Sequence, residues 1–314
     1  MKFPVFDLHC DTAYTLLGRS LHAQGSLRKN TGHVDLTRAG ELASYAQCFA
    51  CYTTTLENRI PPEVLFQREL DTILREVRAN ADRIHMAYSA QDVEKNCQLG
   101  KMSAILTLEG TAGIGFDPER LHALHAIGFR MTTLGWNESN PFCGSHATGE
   151  GLTDRGRAYV AIAQNLGLIV DLSHISDAGF WNVMDITEKP LVASHSNSRA
   201  ICGHSRNLTD DMFLAICQTN GVVGLNLYAD FLGQAADLDT VCDHIFHFME
   251  LDPDGTHICL GGDLDGCDIL PKGFADIRDY NLLSGKLLER GLTADEVMNI
   301  FWNNALGVMK RCCM

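Results

Sequence analysis

The chain lacks any long apolar segment and any excess of positive charge. No stretch of 18 or more apolar residues occurs, and Asp7, His9 and Asp11 interrupt the apolar segment near the amino terminus. Neither a membrane span nor a signal peptide is therefore predicted. The 39 acidic residues outnumber the 25 basic ones, and the formal net charge is −14. A surface of this sign repels phosphate backbones, so no nucleic-acid partner is expected. With neither a membrane span nor a signal peptide predicted, we expect a cytoplasmic protein that does not bind membranes.

Cysteine is not scarce, but its spacing does not indicate a zinc finger. The chain has 12 cysteines, of which Cys48 and Cys51 form a CxxC pair with no second such pair after it. Both lie in the apolar segment YAQCFACYT, and residues three apart in a strand face opposite sides. The two thiols should therefore not share a metal ion. We expect the cysteines to be reduced, small apolar residues of the core.

No internal repeat, low-complexity segment or Pro/Gly-rich linker divides the sequence, so one domain covering residues 1–314 is expected. Apolar, β-branched segments alternate with amphipathic ones. Segments of the first kind lie at about 3–8, 45–53, 103–108, 129–134, 168–172, 190–194, 221–227 and 257–262. Helical spacing is found at 62–82, 117–127, 153–166, 176–187, 209–219, 238–250 and from 279 to the end.

Eight predicted strands that alternate with helices indicate a parallel sheet. Eight is the number that closes a (β/α)8 barrel of the TIM type. The alternative is an open doubly wound sheet, whose first turn often carries GxGxxG. That motif is missing from the first turn, and GTAGIG at 110–115 does not match its spacing. We therefore expect the barrel, in which active-site residues lie at the carboxyl ends of the strands.

Five of the eight predicted strands end in residues that bind metals or transfer protons. These residues are His9 and Asp11, Glu109, His174, His195, and Asp263 with Asp265. Each has another explanation, because a lone histidine is often a satisfied structural residue and an acidic residue after a strand is often a helix N-cap. A closed barrel would bring all five strand ends to one mouth. There, period-two alternation would point His9 and Asp11 the same way.

Three imidazoles and two carboxylates exceed the three protein ligands of one tetrahedral catalytic zinc. They suit two metal ions about 3.5–4 Å apart, with a carboxylate such as Glu109 between them. Such a centre lowers the pKa of a bridging water and polarises a carbonyl, which is hydrolytic chemistry. Asp263 is then available to take the proton of the water and pass it to the leaving group. The alternative is that Asp263 or Asp265 is a metal ligand or a turn residue.

The strand-end motifs resemble those of the renal (membrane) dipeptidase family, zinc metallopeptidases with an amidohydrolase-like barrel. The resemblance covers Phe6 to about Val308. The matching segments are HxD at 9–11, LEG at 108–110, VDLSHISDAGFWNV at 170–183, PLVASHSNSRAICGHSRNLTDD at 190–211 and GGDLDG at 261–266.

The resemblance implies two zinc ions per chain and a role for each matching residue. One zinc would take His9 and Asp11, the other His174 and His195, and Glu109 would bridge them. Asp263 would be the acid/base residue and would help to bind the substrate amine. Arg206 would hold the substrate carboxylate, because a guanidinium pairs with a carboxylate through two hydrogen bonds.

By resemblance, the substrate is a dipeptide with a free carboxylate, including dipeptides with a D-residue at the C-terminal position, and the protein is a homodimer.

One departure concerns the residue after the fourth predicted strand, where animal members have a histidine that polarises the scissile carbonyl. This chain has Trp136 there, followed by Asn137 as a candidate donor. The Gly-rich loop 140–156 is a candidate lid. His146 within it could touch the substrate, but a solvated loop histidine is the expectation.

Two other functions remain open at the level of sequence. An amidohydrolase that acts on lactams or N-acyl amino acids would use the same metal ions, and its pocket would differ around Trp136 and Arg206. A non-enzymatic binder, or a barrel with an inert site, is disfavoured, because every matched metal-binding position is intact.

Overall fold

Strands and helices alternate along the chain in the computed structural model, which describes residues 2–18, 25–56 and 59–313. The strands are β1 (Val5–Cys10), β2 (Tyr45–Tyr52), β3 (Ile84–Met86), β4 (Met102–Glu109), β5 (Phe129–Thr133), β6 (Ile169–Asp171), β7 (Leu191–Ala193), β8 (Val222–Leu225) and β9 (Ile258–Leu260). The α-helices are α1 (Thr12–Leu17), α2 (Leu36–Ala39), α3 (Pro62–Ala79), α4 (Ala90–Gln98), α5 (Arg120–Ile127), α6 (Asp154–Leu166), α7 (Asp177–Met184), α8 (Asp210–Gln218), α9 (Ala229–Leu232), α10 (Leu238–Leu251), α11 (Tyr280–Glu289), α12 (Ala294–Met298) and α13 (Asn304–Cys312). Short 3-10 helices lie at Ala112–Ile114 and Ile277–Asp279, and a π-helical turn at Asn299–Asn303.

Eight of the strands close into a parallel barrel. Their hydrogen-bonded order is β2-β1-β9-β8-β7-β6-β5-β4, and β4 pairs in turn with β2. This last pairing joins the two ends of the sheet, which an open doubly wound sheet would leave apart. Each of the eight predicted strands overlaps one barrel strand. The predicted (β/α)8 barrel is therefore confirmed.

The segment before β4 contains two elements that the sequence pattern did not predict. β3 pairs with residues 102–104 of β4, on the edge where β5 pairs from Leu106 onward. α4 follows it and begins after Ser89, whose side chain accepts a hydrogen bond from the backbone N–H of Asp92. A three-residue strand is too short for alternation to be recognised, and α4 offers only Ala90, Val93 and Cys97 as apolar residues, so its pattern is easily overlooked.

Strand side chains pack either inside the barrel or against the surrounding helices. Phe6, Cys48 and Ile105 belong to the inner cluster, which also includes residues of α13 and the turn before it. Trp302 of that turn contacts Phe6 near the start of β1, with ring centroids 5.8 Å apart. Cys51 belongs to the outer cluster, so the two CxxC thiols face opposite sides as predicted. Apolar side chains fill the amino-terminal end of the barrel, and the polar groups lie at the carboxyl ends of the strands.

Candidate functional site

A β-bulge in β1 turns His9 into the mouth of the barrel. The pairing of β1 with β2 shifts by one residue between Asp7 and Cys10, and such an extra residue interrupts the alternation of side chains. Asp7 is turned toward α11, where it accepts a hydrogen bond from Tyr280. Strict alternation would place Asp7 and His9 on the same face, so the bulge separates a structural aspartate from a site histidine. Cys10 packs in the outer cluster, as expected.

Asp11 occupies the N-cap position of α1 without capping the helix. Its side chain accepts no hydrogen bond from the first turn. Its Oδ1 is buried and has no hydrogen-bond partner among the residues that the structure describes. Its Oδ2 is 3.7 Å from Nε2 of His9. The N-cap explanation therefore does not account for this carboxylate, which faces the site.

Glu109 ends β4 and places one carboxylate against three imidazoles. Its Oε2 is 3.3 Å from Nε2 of His9. Its Oε1 is 2.9 Å from Nε2 of His174 and 3.6 Å from Nε2 of His195. The residue is 2% exposed. One buried carboxylate thus lies between His9 and the two other histidines, which is the position that a bridging ligand requires.

Hydrogen bonds from outside the cluster orient His174 and His195. Nδ1 of His195 donates to Oγ of Ser194 at 2.7 Å, and Ser194 donates in turn to Asp171. Nδ1 of His174 donates to Oδ1 of Asn137 at 2.8 Å. Both Nε2 atoms are consequently directed at the centre, where they are 2.9 Å apart. Metal-binding histidines are commonly held in this way, because the outer acceptor fixes the tautomer.

The donor atoms of this cluster fit divalent metal ions. Nε2 of His9, Oδ1 of Asp11 and Oε2 of Glu109 are buried without a hydrogen-bond partner in residues 2–18, 25–56 and 59–313. A buried polar atom in this state costs about 1–3 kcal/mol. Neighbouring candidate ligand atoms, the imidazole nitrogens and carboxylate oxygens, are 2.9–3.7 Å apart. Tetrahedral zinc with bonds of about 2.0–2.1 Å would separate its ligands by about 3.3 Å.

The pKa shifts within the cluster reflect burial and the closeness of several carboxylates. Burial, assisted by the charges of Asp11 and Asp263, raises the pKa of Glu109 to about 7 although His9 opposes it. Burial and the charge of Asp11 raise the pKa of Asp263 to about 6. Burial opposes the charged form of His9, but Glu109 and Asp11 outweigh it and raise the pKa of His9 well above its ordinary value. Bound cations would relieve this repulsion between carboxylates.

The two aspartates after β9 have different surroundings. Oδ1 of Asp263 is 3.8 Å from Nε2 of His9, and its Oδ2 accepts a hydrogen bond from Asn226 at 3.0 Å. Asp265 accepts hydrogen bonds from the hydroxyl of Thr12 at 2.6 Å and from a backbone N–H just before α2. Asp263 is therefore the aspartate that is directed at the site, and Asp265 is tied to the surrounding loops.

The backbone at three residues at or next to the site is in an unusual conformation. His174 has φ = 72°, Asp263 has φ = 54° and Asp265 has φ = 68°. Non-glycine residues in this left-handed region store strain of about 1–3 kcal/mol each and cluster at functional sites. A Cβ added to Gly266 would clash with Oδ2 of Asp11 and with Oδ1 of Asp263. The turn after β9 thus approaches both carboxylates closely, and glycine leaves the space for them.

A cavity of about 410 Å³ opens onto the cluster. Its polar lining includes Asp11, Glu109, His174 and Asp263, and its aromatic lining consists of Tyr14, Tyr52, Trp136, Tyr228 and Phe231. Trp136 packs edge-on against Tyr52, with ring centroids 5.0 Å apart. Trp136 is therefore part of an aromatic wall beside the predicted metal ligands.

Arg206 is buried next to the two histidines. One terminal nitrogen is 3.2 Å from the carbonyl oxygen of His195 and 3.3 Å from Nε2 of His174. The guanidinium carbon lies 5.4 Å from the ring centre of Phe231. Nε of Arg206 is buried, with no hydrogen-bond partner within the described residues. A buried guanidinium with an unused donor can pair with an anion.

His146 is not the solvated residue that the sequence suggested. It is half-buried, its Nε2 is 2.9 Å from Oδ1 of Asn137, and its Nδ1 is 2.9 Å from Oγ of Ser205. Its backbone N–H donates to the carbonyl of His174 at 2.8 Å, which folds this part of loop 140–156 back onto the site. A Gly-rich loop carries no periodic signal, so its contacts could not be read from the sequence.

The sequence did not identify the hydrogen-bonding residues Asp171, Ser194 and Asn226, and it did not place His146 beside Asn137. It also missed the aromatic residues of the cavity, Tyr14, Tyr52, Tyr228 and Phe231. Asp171 and Ser194 lie three and one positions before a predicted histidine ligand, and outer partners of metal ligands often lie nearby in sequence. Asn226 follows β8 by one residue, so the rule that places active sites at strand ends could have identified it.

Comparison with known proteins identifies the family. The model of the membrane dipeptidase family, peptidase family M19, matches residues 1–313. A dipeptidase of Aspergillus oryzae is 32% identical, and the match covers 98% of this chain and 78% of that protein. An uncharacterized dipeptidase of Schizosaccharomyces pombe is 36% identical over 67% of this chain. That match spans 53%, or about half, of the yeast protein's length.

A solved structure shares the fold over nearly the whole chain. It is a metallopeptidase of Rhodobacter sphaeroides bound to a phosphinate mimic of the dipeptide L-Ala-D-Ala. The TM-score is 0.90 at 28% identity, and the match covers 99% of this chain and 100% of the other. Within the described ranges, no helix combines the length and apolar character needed to cross a bilayer. The barrel, the cluster at its mouth and the family match together show that this chain belongs to the membrane dipeptidase family of metallopeptidases.

Proposed function

We propose that this chain is a dinuclear zinc dipeptidase that hydrolyses dipeptides, including those with a C-terminal D-residue. The observation that carries the proposal is Glu109, whose carboxylate approaches His9 with one oxygen and His174 with the other. His9 and Asp11 would hold one ion, His174 and His195 the other, and Glu109 would serve both. When bound, the ions would polarise the scissile carbonyl and acidify the attacking water.

Asp263 is the general acid/base residue in this proposal. Water must lose a proton as it attacks, and the amide nitrogen must gain one before it leaves. Asn226 donates to Oδ2 of Asp263 and so holds the carboxylate with Oδ1 toward His9 and the cavity. The same carboxylate can take the proton from water and deliver it to the leaving amine.

The two ends of the substrate meet groups of opposite charge. Arg206 would pair with the free carboxylate, and the carboxylates on the other side, Asp263 among them, would attract the free amine. The aromatic wall around Trp136 would contact substrate side chains, and the amide nitrogen of Asn137 would be a donor at the cavity. Support for C-terminal D-residues comes from the Rhodobacter sphaeroides relative, whose ligand mimics L-Ala-D-Ala.

Hydrolysis of L-Ala-L-Ala and L-Ala-D-Ala by the purified protein tests the proposal. Metal content is measured on the same sample, with and without a chelator. We expect cleavage of the D-containing dipeptide, about two zinc ions per chain and loss of activity on chelation. Two ions without dipeptide cleavage would favour lactams or N-acyl amino acids as substrates. No bound metal after incubation with zinc would overturn the proposed centre.

Replacement of Arg206 tests the carboxylate contact. Arg206→Ala is expected to raise KM for free dipeptides by about 10–100-fold, since a hydrogen bond to a charged group contributes about 1.5–3 kcal/mol. A dipeptide with a neutral C-terminal amide should be affected little. Steady-state kinetics on both substrates measure this difference. The control is Arg199→Ala, because Arg199 forms a bidentate pair with Asp177 instead. Equal losses on both substrates would contradict the contact.

A further inference from the structure

A chain of hydrogen bonds connects loop 140–156 to the cluster. Oγ of Ser205 is 2.9 Å from Nδ1 of His146, and Nε2 of His146 is 2.9 Å from Oδ1 of Asn137. The same Oδ1 is 2.8 Å from Nδ1 of His174. The carbonyl oxygen of one amide is therefore shared by two imidazoles, one on the loop and one in the cluster.

The chemistry of these groups determines the direction of the hydrogen bonds. An amide oxygen can only accept, so Nδ1 of His174 and Nε2 of His146 must both carry a proton. In the neutral form of this imidazole, Nδ1 is an acceptor, and the hydroxyl of Ser205 can donate to it. Each group in the chain thus has one defined role.

We propose that His146 and Asn137 are positioning residues that hold His174 in the tautomer whose Nε2 can bind a metal ion. This inference rests on the proposed metal centre. Oδ1 of Asn137 keeps the proton of His174 on Nδ1, and His146 keeps the amide of Asn137 in the orientation that presents this oxygen. Without His146, the amide can turn, and His174 loses the acceptor that fixes its ring.

The loop has anchors other than His146. Oγ1 of Thr148 accepts hydrogen bonds from the backbone N–H of Ser145 at 2.9 Å and from Oγ of Ser139 at 2.6 Å. Ser176 donates to the carbonyl of Glu150 at 2.5 Å. A general effect of loosening the loop can therefore be separated from a specific effect on His174.

The experiment compares zinc affinity in His146→Phe, Asn137→Leu, Asn137→Asp and the loop control Thr148→Val. Affinity is measured by competition with a chromophoric chelator, and the protonated ring nitrogens are observed by NMR of zinc-loaded protein with 15N-labelled histidine. We expect the first two variants to bind zinc about 10–100-fold more weakly, the usual effect of losing an outer partner of a ligand. The Nδ1–H signal of His174 should be broadened or shifted in both.

The two remaining variants separate positioning from folding. Asn137→Asp keeps an acceptor oxygen and should bind zinc within a few-fold of the wild type. Thr148→Val should lower Tm and leave zinc affinity unchanged. Wild-type affinity and an unchanged His174 signal in His146→Phe would overturn the inference and leave the metal centre standing. If the wild-type chain binds no zinc, the centre and the inference are both wrong.

Discussion

Glu109→Gln is expected to abolish measurable dipeptide hydrolysis and to release bound zinc. The carboxylate faces His9 on one side and His174 on the other, so the substitution affects both halves of the centre. A glutamine amide carries no charge and presents N–H groups where an oxygen ligand is needed. Loss of a residue that hydrogen-bonds to a metal ligand typically lowers metal affinity about 10–100-fold. Because Glu109→Gln changes a proposed ligand itself, we expect zinc affinity to fall more than 100-fold.

Zinc content after dialysis, chelator competition and kcat on L-Ala-D-Ala measure the effect of Glu109→Gln. The matched control is Glu76→Gln, because Glu76 is also a buried glutamate but accepts a hydrogen bond from the backbone N–H of Leu27 in a loop outside the site. The control should lower Tm and retain zinc. A Glu109→Gln enzyme with two zinc ions and wild-type kcat would show that Glu109 is not a bridging ligand.

Asp263→Asn is expected to lower kcat by about 10²–10⁴-fold with both metal ions still bound, the usual range for loss of a general acid/base. The substitution preserves shape and can preserve a contact with Asn226, but an amide cannot take a proton from water at neutral pH. KM should change less than kcat, since the lost function is needed in the transition state. Steady-state kinetics and metal analysis of the same preparation measure both quantities.

The control for Asp263 is Asp265→Asn, two residues away. Asp265 is hydrogen-bonded to Thr12 and to the segment before α2, so its replacement should lower Tm and leave kcat within a few-fold. Retained activity in Asp263→Asn would refute the proton-transfer role. Loss of one zinc ion from that variant would instead identify Asp263 as a ligand, the alternative that the GGDLDG motif left open.

The barrel could be predicted because its elements have local signals. Apolar, β-branched segments recur eight times between amphipathic helices, and this alternation is visible without any tertiary contact. The fold then predicts the site, because parallel strands in a closed barrel bring their carboxyl ends together. His9, Asp11, Glu109, His174 and Asp263 converge as expected. The roles of these residues, the single-domain organisation, the homodimer and the cytoplasmic location remain predictions.

The sequence by itself determined the kinds of candidate ligand and the strand ends that carry them, since both follow from residue type and period. Only the tertiary structure decided which neighbouring residues face the site. A bulge sends Asp7 outward and His9 inward, and hydrogen bonds tie Asp265 to Thr12 and His33 while Asp263 is directed at His9. Loop 140–156 places His146 beside Asn137. Each of these outcomes depends on a one-residue shift or on a contact between distant segments, and neither leaves a periodic trace in the sequence.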